Sequence, residues 1–151
     1  MKIPVDIRVH NERTHPGFGK NAEEHIETDE FKTTGVMKKT KGGYRIEFRE
    51  ENKGGTTTID TTKDDMVTLY RIGPVNSGLV FAEGKAFDCI NYSPVGMQPF
   101  RICVRTKSLK NTLSMDGGKL NIDYSVEVAG NLAEKNKLSL SVCPDISILK
   151  S

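Results

Sequence analysis

A chain of 151 residues has the size of one domain, and 36% hydrophobic residues are enough for a core without disulfide or metal cross-links. Its 22 basic and 20 acidic side chains nearly balance, which excludes the strong overall field that draws proteins to nucleic acid or anionic lipid. We expect a single domain over residues 1–151 and do not expect nucleic acid as a partner.

Three cysteines, Cys89, Cys103 and Cys143, are an odd number, and none lies in a Cys-x-x-Cys pair. A disulfide framework or a zinc site needs closer spacing or more ligands. The N-terminal residues lack the apolar run of a signal peptide, and no segment approaches the ~20 apolar residues of a membrane span. We expect reduced thiols, no metal or other cofactor, no membrane association and a cytoplasmic location.

Alternation of apolar and polar residues dominates the chain from one end to the other. Successive side chains of a strand point to opposite faces, so each alternating run predicts a half-buried β-strand. In chain order the clearest apolar phases are Ile3 to Val9, Tyr44 to Phe48, Phe100 to Val104, Leu120 to Val128 and Leu138 to Val142. A further strand is predicted over residues 27–39.

Glycine-rich turns separate these runs, as at Gly42-Gly43, Gly54-Gly55 and Gly117-Gly118. Asp116-Gly117 between two alternating runs predicts a type I′ hairpin turn. No window has helical periodicity over ten residues, and the segment from Asn21 to Ile26 allows at most one helical turn. Many short strands with tight turns and no long crossover predict an all-β fold, an antiparallel up-and-down lipocalin-like β-barrel.

Motifs of catalysis are absent or incomplete. The run from His15 to Lys20 resembles a phosphate-binding loop, but Thr14 stands where the first glycine belongs and Asn21 follows the lysine. His10, His15 and His25 do not have the spacing of metal-binding histidines, so we interpret them as solvated residues on a hairpin. No nucleophile elbow is present, and we expect a protein that is not an enzyme.

Four polar residues lie in phase with the apolar runs and are candidates to line a ligand pocket in the barrel lumen. Glu50 continues the phase of Tyr44, Arg71 shares parity with Val67 and Leu69, and Tyr124 lies inside its own apolar stripe. Asn11 and Arg13 likewise continue the phase of Ile3. The alternative interpretation is that polar strand ends lie at the rim of a packed barrel and that the tyrosines pack their rings.

An arginine in a lumen needs a partner, because an unpaired buried charge is very costly. Arg71 must then meet a carboxylate, a carbonyl, water or an anionic ligand, and Glu50 is the expected partner. If Arg71 instead lies on the outer face, the argument for a lumenal site fails.

Basic residues also recur along one predicted strand, at Arg101, Arg105, Lys107 and Lys110. A barrel that binds single-stranded nucleic acid combines such a stripe with exposed aromatic rings. Phe100 has the opposite parity to Arg101 and is expected inside. We interpret the stripe as a solvated strand face.

Several segments in order resemble the YwiB-like family of small bacterial proteins of unknown function. They are Val67 to Gly73, Ser77 to Gly84, Ser93 to Gly96, Val104 to Thr106 and Gly117 to Tyr124, and the opening Lys2-Ile3-Pro4-Val5 also fits. The resemblance implies a cytoplasmic, lipocalin-like (calycin-type) barrel. It implies no known activity, cofactor or catalytic residue.

Two functions remain open from the sequence. The first is a non-enzymatic barrel that binds a small molecule in its lumen or at the mouth of the lumen. The second is a packed barrel that acts through its outer surface as a protein-interaction or dimerisation module. In either case we expect a monomer or a homodimer.

Overall fold

The computed structural model describes residues 2–16, 23–50, 54–62, 65–73, 76–92 and 99–145. Across these ranges every regular element is a strand, so the prediction of an all-β fold is confirmed. The strands are β1 (Lys2–His15), β2 (His25–Lys39), β3 (Tyr44–Glu50), β4 (Gly55–Thr61), β5 (Met66–Ile72), β6 (Ser77–Ala82), β7 (Ala86–Tyr92), β8 (Pro99–Asn111), β9 (Gly118–Val128) and β10 (Asn131–Pro144).

The strands form one antiparallel sheet in the order β6-β5-β4-β3-β2-β1-β10-β9-β8-β7. Neighbours in the sheet are neighbours in sequence, except that the first and last strands also pair, from Val5 opposite Pro144 to Thr14 opposite Lys135. That pairing curls the meander into a nearly closed up-and-down barrel, as predicted. Among the described strands, the ladder is interrupted between β6 and β7. There the Gly84 N–H donates to the Thr106 carbonyl at 2.9 Å and links the turn to β8.

The predicted apolar phases face the interior. Val5 and Ile7 of β1, Ile46 of β3 and Leu120 of β9 are all nearly inaccessible, and they belong to one continuous hydrophobic core. The other large, fully buried side chains are Phe81, Met37, Ile59, Ile122, Leu140, Val67 and Val104. Side chains therefore fill the interior of the barrel over this layer.

The long β1–β2 hairpin extends beyond the strand that follows it. β2 pairs with β1 along its whole length, but with β3 only from Gly35 to Lys39. The two strands approach so closely at Gly35 that a Cβ there would lie 2.3 Å from the Glu47 carbonyl oxygen. Beyond that point the backbone pairing of β2 with β3 ends, although the Thr33 hydroxyl still donates to the Arg49 carbonyl at 3.2 Å. Within the described residues, no strand then pairs with the outer edge of β2 from residue 25 to residue 34.

The β8–β9 hairpin is where the sequence predicts it, but the predicted type I′ turn is wrong. Ser114 and Gly117 exchange backbone hydrogen bonds of 2.9 and 3.0 Å around Met115 and Asp116. A type I′ turn needs positive φ at both central residues, and neither of these two has it. Gly117, the next residue, has a φ of 103°, and its Cα lies so close to Val142 that a Cβ there would be 2.6 Å from the Val142 carbonyl oxygen.

Several sequence-based expectations fall outside the described residues. These are the loop from Gly17 to Lys20, the start of the candidate helical turn at Asn21, the turn from Ser93 to Gly96 and the side chain of Phe100. None of the described residues belongs to a helix that could cross a membrane.

Candidate functional site: a polar cluster at the barrel mouth

Polar side chains occupy the inward positions at one end of the barrel, where β1, β3 and β5 end and β2, β4 and β10 begin. We call this end the mouth. The inward phase of each strand is apolar in the core and becomes polar towards the mouth, as in Ile46, Phe48 and Glu50 of β3. The mouth cluster consists of Asn11, Arg13, Glu50, Thr57, Arg71, Tyr124, Glu134 and Asn136.

One half of the cluster is centred on the carboxylate of Glu50. Arg71 Nη2 donates to Glu50 Oε1 at 2.8 Å, and the Thr57 hydroxyl donates to the same oxygen at 3.0 Å. Arg71 and Thr57 are cross-strand partners on β5 and β4. The predicted pairing of Arg71 with Glu50 is therefore confirmed. Glu50 is 6% exposed and the Arg71 side chain 39%, so the guanidinium closes over a buried carboxylate and reaches solvent.

Two buried atoms of this ion pair have no hydrogen-bond partner among the described residues. They are Glu50 Oε2 and Arg71 Nε. A buried polar atom without a hydrogen bond is destabilising by roughly 1–3 kcal/mol, so native proteins satisfy nearly all of them with protein, water or ligand. The carboxylate is thus held through one oxygen, and its other oxygen is free to accept.

The other half of the cluster lies on β1 and β10. Arg13 Nε forms an ion pair with Glu134 Oε2 at 3.3 Å. Asn136 donates through Nδ2 to Glu134 Oε1 at 3.2 Å and accepts from Asn11 Nδ2 at 3.2 Å. Asn136 is fully buried, while Asn11 Oδ1 and Arg13 Nε are buried and have no hydrogen-bond partner among the described residues. This half therefore also contains one unused acceptor and one unused donor.

Tyr124 lies between the two halves. In the sheet it faces Asn136 on one side and Thr106 on the other, and its ring packs on Phe81 with centroids 4.7 Å apart. Burial raises the pKa of Tyr124 to about 12, and the Glu134 carboxylate adds to that rise. Arg13 and Arg71 act in the opposite direction. The phenol therefore keeps its proton at neutral pH and serves as a hydrogen-bonding group.

Tyr44 does not belong to the cluster, and the expectation that all four candidate residues share one pocket is wrong for this residue. Tyr44 begins β3 and Glu50 ends it. Six residues of extended strand place the two about 20 Å apart. The Tyr44 backbone instead accepts and donates hydrogen bonds with the Thr61 hydroxyl at the opposite end of the barrel.

The inward face of β2 adds further carboxylates to the mouth. Glu27 lies opposite Arg13 in the ladder, 3.9 Å from its guanidinium, and Asp29 lies opposite Asn11. Glu27 also contacts His15 at 3.7 Å and His25 at 3.3 Å, and the two imidazole rings stack. Within the described ranges, no group of three or more His, Cys, Asp or Glu residues is arranged to hold a metal ion.

The sequence interpretation missed Glu134, Asn136 and Thr57. Each has the parity of an apolar run on its own strand, since Glu134 and Asn136 precede Leu138 in phase and Thr57 precedes Ile59. Continuing the run from Leu138 to Val142 backwards along the chain would have found the first two.

The basic stripe of β8 faces solvent, as predicted. Arg101, Arg105, Lys107 and Lys110 are exposed, and Arg105 forms a long ion pair of 3.7 Å with Glu127. A groove of about 620 Å³ beside this stripe is lined by acidic and basic side chains alike, and Thr106 and Tyr124 also line it. This groove therefore does not concentrate charge of one sign.

Comparison with known proteins supports the family resemblance. A model of the family described as Domain of unknown function (DUF1934) matches residues 17–140. The crystal structure of the ywiB protein from Bacillus subtilis is similar, with a TM-score of 0.76 at 17% identity over 95% of this chain and 92% of that chain. At this identity the similarity shows the fold. No curated protein matches the chain.

Proposed function

Because the chain belongs to the family described as Domain of unknown function (DUF1934), a description that gives no activity, we propose a function from the geometry of the site. The proposed function is non-enzymatic binding of a small polar molecule at the barrel mouth. The observation that carries this proposal is the buried Glu50 carboxylate, whose Oε2 has no hydrogen-bond partner in the described part of the chain. An atom of this kind needs a donor from outside the protein.

The surroundings of Glu50 support a small-molecule site. Such sites combine an apolar wall with a few convergent polar groups that fix the orientation of the ligand. Here the Tyr124 ring, which packs on the fully buried ring of Phe81, supplies the apolar surface within the mouth cluster. Arg71 Nε, Arg13 Nε, Asn11 Oδ1 and the Thr106 hydroxyl are further buried polar atoms without a hydrogen-bond partner among the described residues.

Binding without catalysis fits the ionisable groups of the mouth. A general base at neutral pH needs a pKa near that pH, and the pKa of Tyr124 is about 12. The carboxylate of Glu50 is already bonded to a guanidinium.

We also propose a cytoplasmic location, which the free thiols of Cys89, Cys103 and Cys143 support.

Native mass spectrometry of the protein purified from its own host tests the proposal. We expect a small-molecule adduct on the wild type that Glu50→Gln loses. The control is Arg45→Met, which breaks a comparable ion pair of 2.7 Å with Asp60 elsewhere on the sheet, and the adduct should remain on this variant. A wild-type protein without an adduct, or an adduct that survives Glu50→Gln, would contradict the proposal.

A second candidate function is protein interaction through the outer edge of β2, where residues 25–34 have no strand partner among the described residues. Unpaired strand edges accept an added strand from another chain. This edge carries Glu27, Asp29 and Glu30, so a second copy would bring like charges together, and a basic extended segment is the better partner. Light scattering should then find a monomer, and a stable homodimer would contradict this version.

A further inference from the structure

The mouth carries more negative than positive charge. Arg13 and Arg71 are its two arginines, and the carboxylates of Glu27, Asp29, Glu50 and Glu134 share the same inward face. Both arginines already contact carboxylates, at 2.8 Å for Arg71 and 3.3 Å for Arg13, although the buried Nε of each has no hydrogen-bond partner among the described residues. An anion that entered here would compete with the carboxylates that both arginines already contact, and the exposed carboxylates of Glu27 and Asp29 would repel it.

The hydrogen bonds of Glu50 also favour a positively charged ligand over an anion. Both of its protein hydrogen bonds, from Arg71 and Thr57, end on Oε1, while the buried Oε2 has none. A carboxylate oxygen only accepts, so the group that fills this position must donate. A charged N–H donor forms the strongest hydrogen bond with a carboxylate, and it also reduces the excess negative charge. Asn11 Oδ1 is a second buried acceptor that lacks a donor.

The wall of the site suits the remainder of such a ligand. Tyr124 and Phe81 form a tilted aromatic pair, and Tyr124 is nearly buried. Aromatic rings pack well against alkyl chains, and their faces attract cations. The protonated phenol of Tyr124 adds a neutral hydrogen-bonding group between the two ion pairs.

From this charge balance and the free Glu50 oxygen, we infer that the mouth binds a small organic cation of the aliphatic amine or amidine class. Its N–H groups donate to Glu50 Oε2, and its alkyl part lies near Tyr124. The inference rests on the proposed small-molecule function and specifies the class of ligand. It differs from the possibility, raised from the sequence, that an anionic ligand meets Arg71, because in the structure Arg71 Nη2 already donates to Glu50.

Three probes with the same four-carbon chain separate the possibilities: putrescine with two ammonium groups, its diol analogue and succinate. Calorimetric titration and thermal shift at neutral pH and constant ionic strength compare their binding to the wild type, Glu50→Gln, Arg71→Met and the control Arg45→Met. Far-UV circular dichroism verifies that each variant is folded. We expect putrescine to bind the wild type and Arg45→Met alike, about tenfold or more tightly than the diol.

The variants give the sharper result. Glu50→Gln should weaken putrescine binding about tenfold or more, because it removes the charged acceptor. Arg71→Met should make putrescine binding tighter, because it removes a cation that competes for Glu50. Succinate binding that Arg71→Met abolishes would overturn the cation inference and leave the proposed function standing. Putrescine binding that is absent, equal to that of the diol or unaffected by Glu50→Gln would also overturn the inference. The native mass spectrum decides the proposed function separately.

Discussion

Replacing Arg71 should destabilise the unliganded protein more than replacing Glu50, although the two residues form one ion pair. In Arg71→Met the Glu50 carboxylate, 6% exposed, keeps only its bond from Thr57. In Glu50→Gln the Arg71 guanidinium can turn to solvent, because its side chain is already 39% exposed. Arg71→Met is therefore the more destabilising change, because it leaves the buried Glu50 carboxylate without its charged partner and away from water.

The magnitudes follow from the same exposures. Removing one partner of a fully buried ion pair destabilises a protein by about 3–5 kcal/mol, whereas fully exposed pairs contribute about 0.2–1 kcal/mol. Arg71 is more than a third exposed, so the first range must be reduced. We expect a loss of about 2–3 kcal/mol for Arg71→Met and of about 1 kcal/mol for Glu50→Gln. The double variant should lose less than the sum of the two.

Urea unfolding, followed by far-UV circular dichroism, measures these losses as shifts of the midpoint at constant slope. Arg45→Met is the matched control, because the Arg45–Asp60 pair has a similar distance of 2.7 Å with a more accessible carboxylate. Its loss should be smaller than that of Arg71→Met, because water screens an exposed ion pair. The reasoning is refuted if Arg71→Met moves the midpoint no further than Arg45→Met, or if Glu50→Gln is the more damaging change.

Two further predictions concern Tyr124 and Gly117. Because burial raises the pKa of Tyr124 to about 12, the folded protein holds this proton more tightly than the unfolded chain, whose tyrosine pKa is about 10. The contribution of this proton to the free energy of unfolding is therefore complete below pH ~10 and is lost, by roughly 3 kcal/mol, as the pH rises to ~12. Urea midpoints should show this loss for the control Tyr70→Phe, which keeps Tyr124, but not for Tyr124→Phe. Gly117→Ala should destabilise the protein by about 2 kcal/mol or more, for two reasons. A Cβ at this position would lie 2.6 Å from the Val142 carbonyl oxygen, and alanine would have to adopt the positive φ of Gly117. Gly84→Ala, with φ 75° and open surroundings, should lose only about 1 kcal/mol, and equal losses in thermal unfolding would contradict the close approach.

The inward face of a regular strand could be predicted from the sequence, because side chains alternate between the two faces. Val5 and Ile7 are inside for this reason, and so are Glu50 and Arg71. In β8 the irregularity between Thr106 and Ser108 reverses this alternation, so parity fails there. The closure of the barrel could not be predicted in this way. The pairing of β1 with β10 joins the two ends of the chain, and it depends on the tilt and register of all the strands together.

The same limit explains the error at Tyr44. Parity assigns a residue to a face of the sheet and says nothing about its height along the barrel axis. Tyr44 and Glu50 share a face, but they lie at opposite ends of β3. Glu134 and Arg13, in contrast, are far apart in sequence and meet because β10 and β1 pair in register. Height in the barrel is a property of the register between strands, which no single alternating run contains.

The position of the charged residues argues for a role other than stability. Buried ion pairs contribute little to stability, and replacing them with apolar residues of similar size is often neutral or stabilising. The core around Ile46 and Leu120 shows that this chain can fill its interior with apolar side chains. At the mouth the inward positions instead carry two ion pairs, together with buried atoms such as Glu50 Oε2 that no group of the described residues satisfies. A barrel that needed only to fold would gain by extending its apolar layer to this end, so the polar residues of the mouth are the ones whose chemistry a ligand would use.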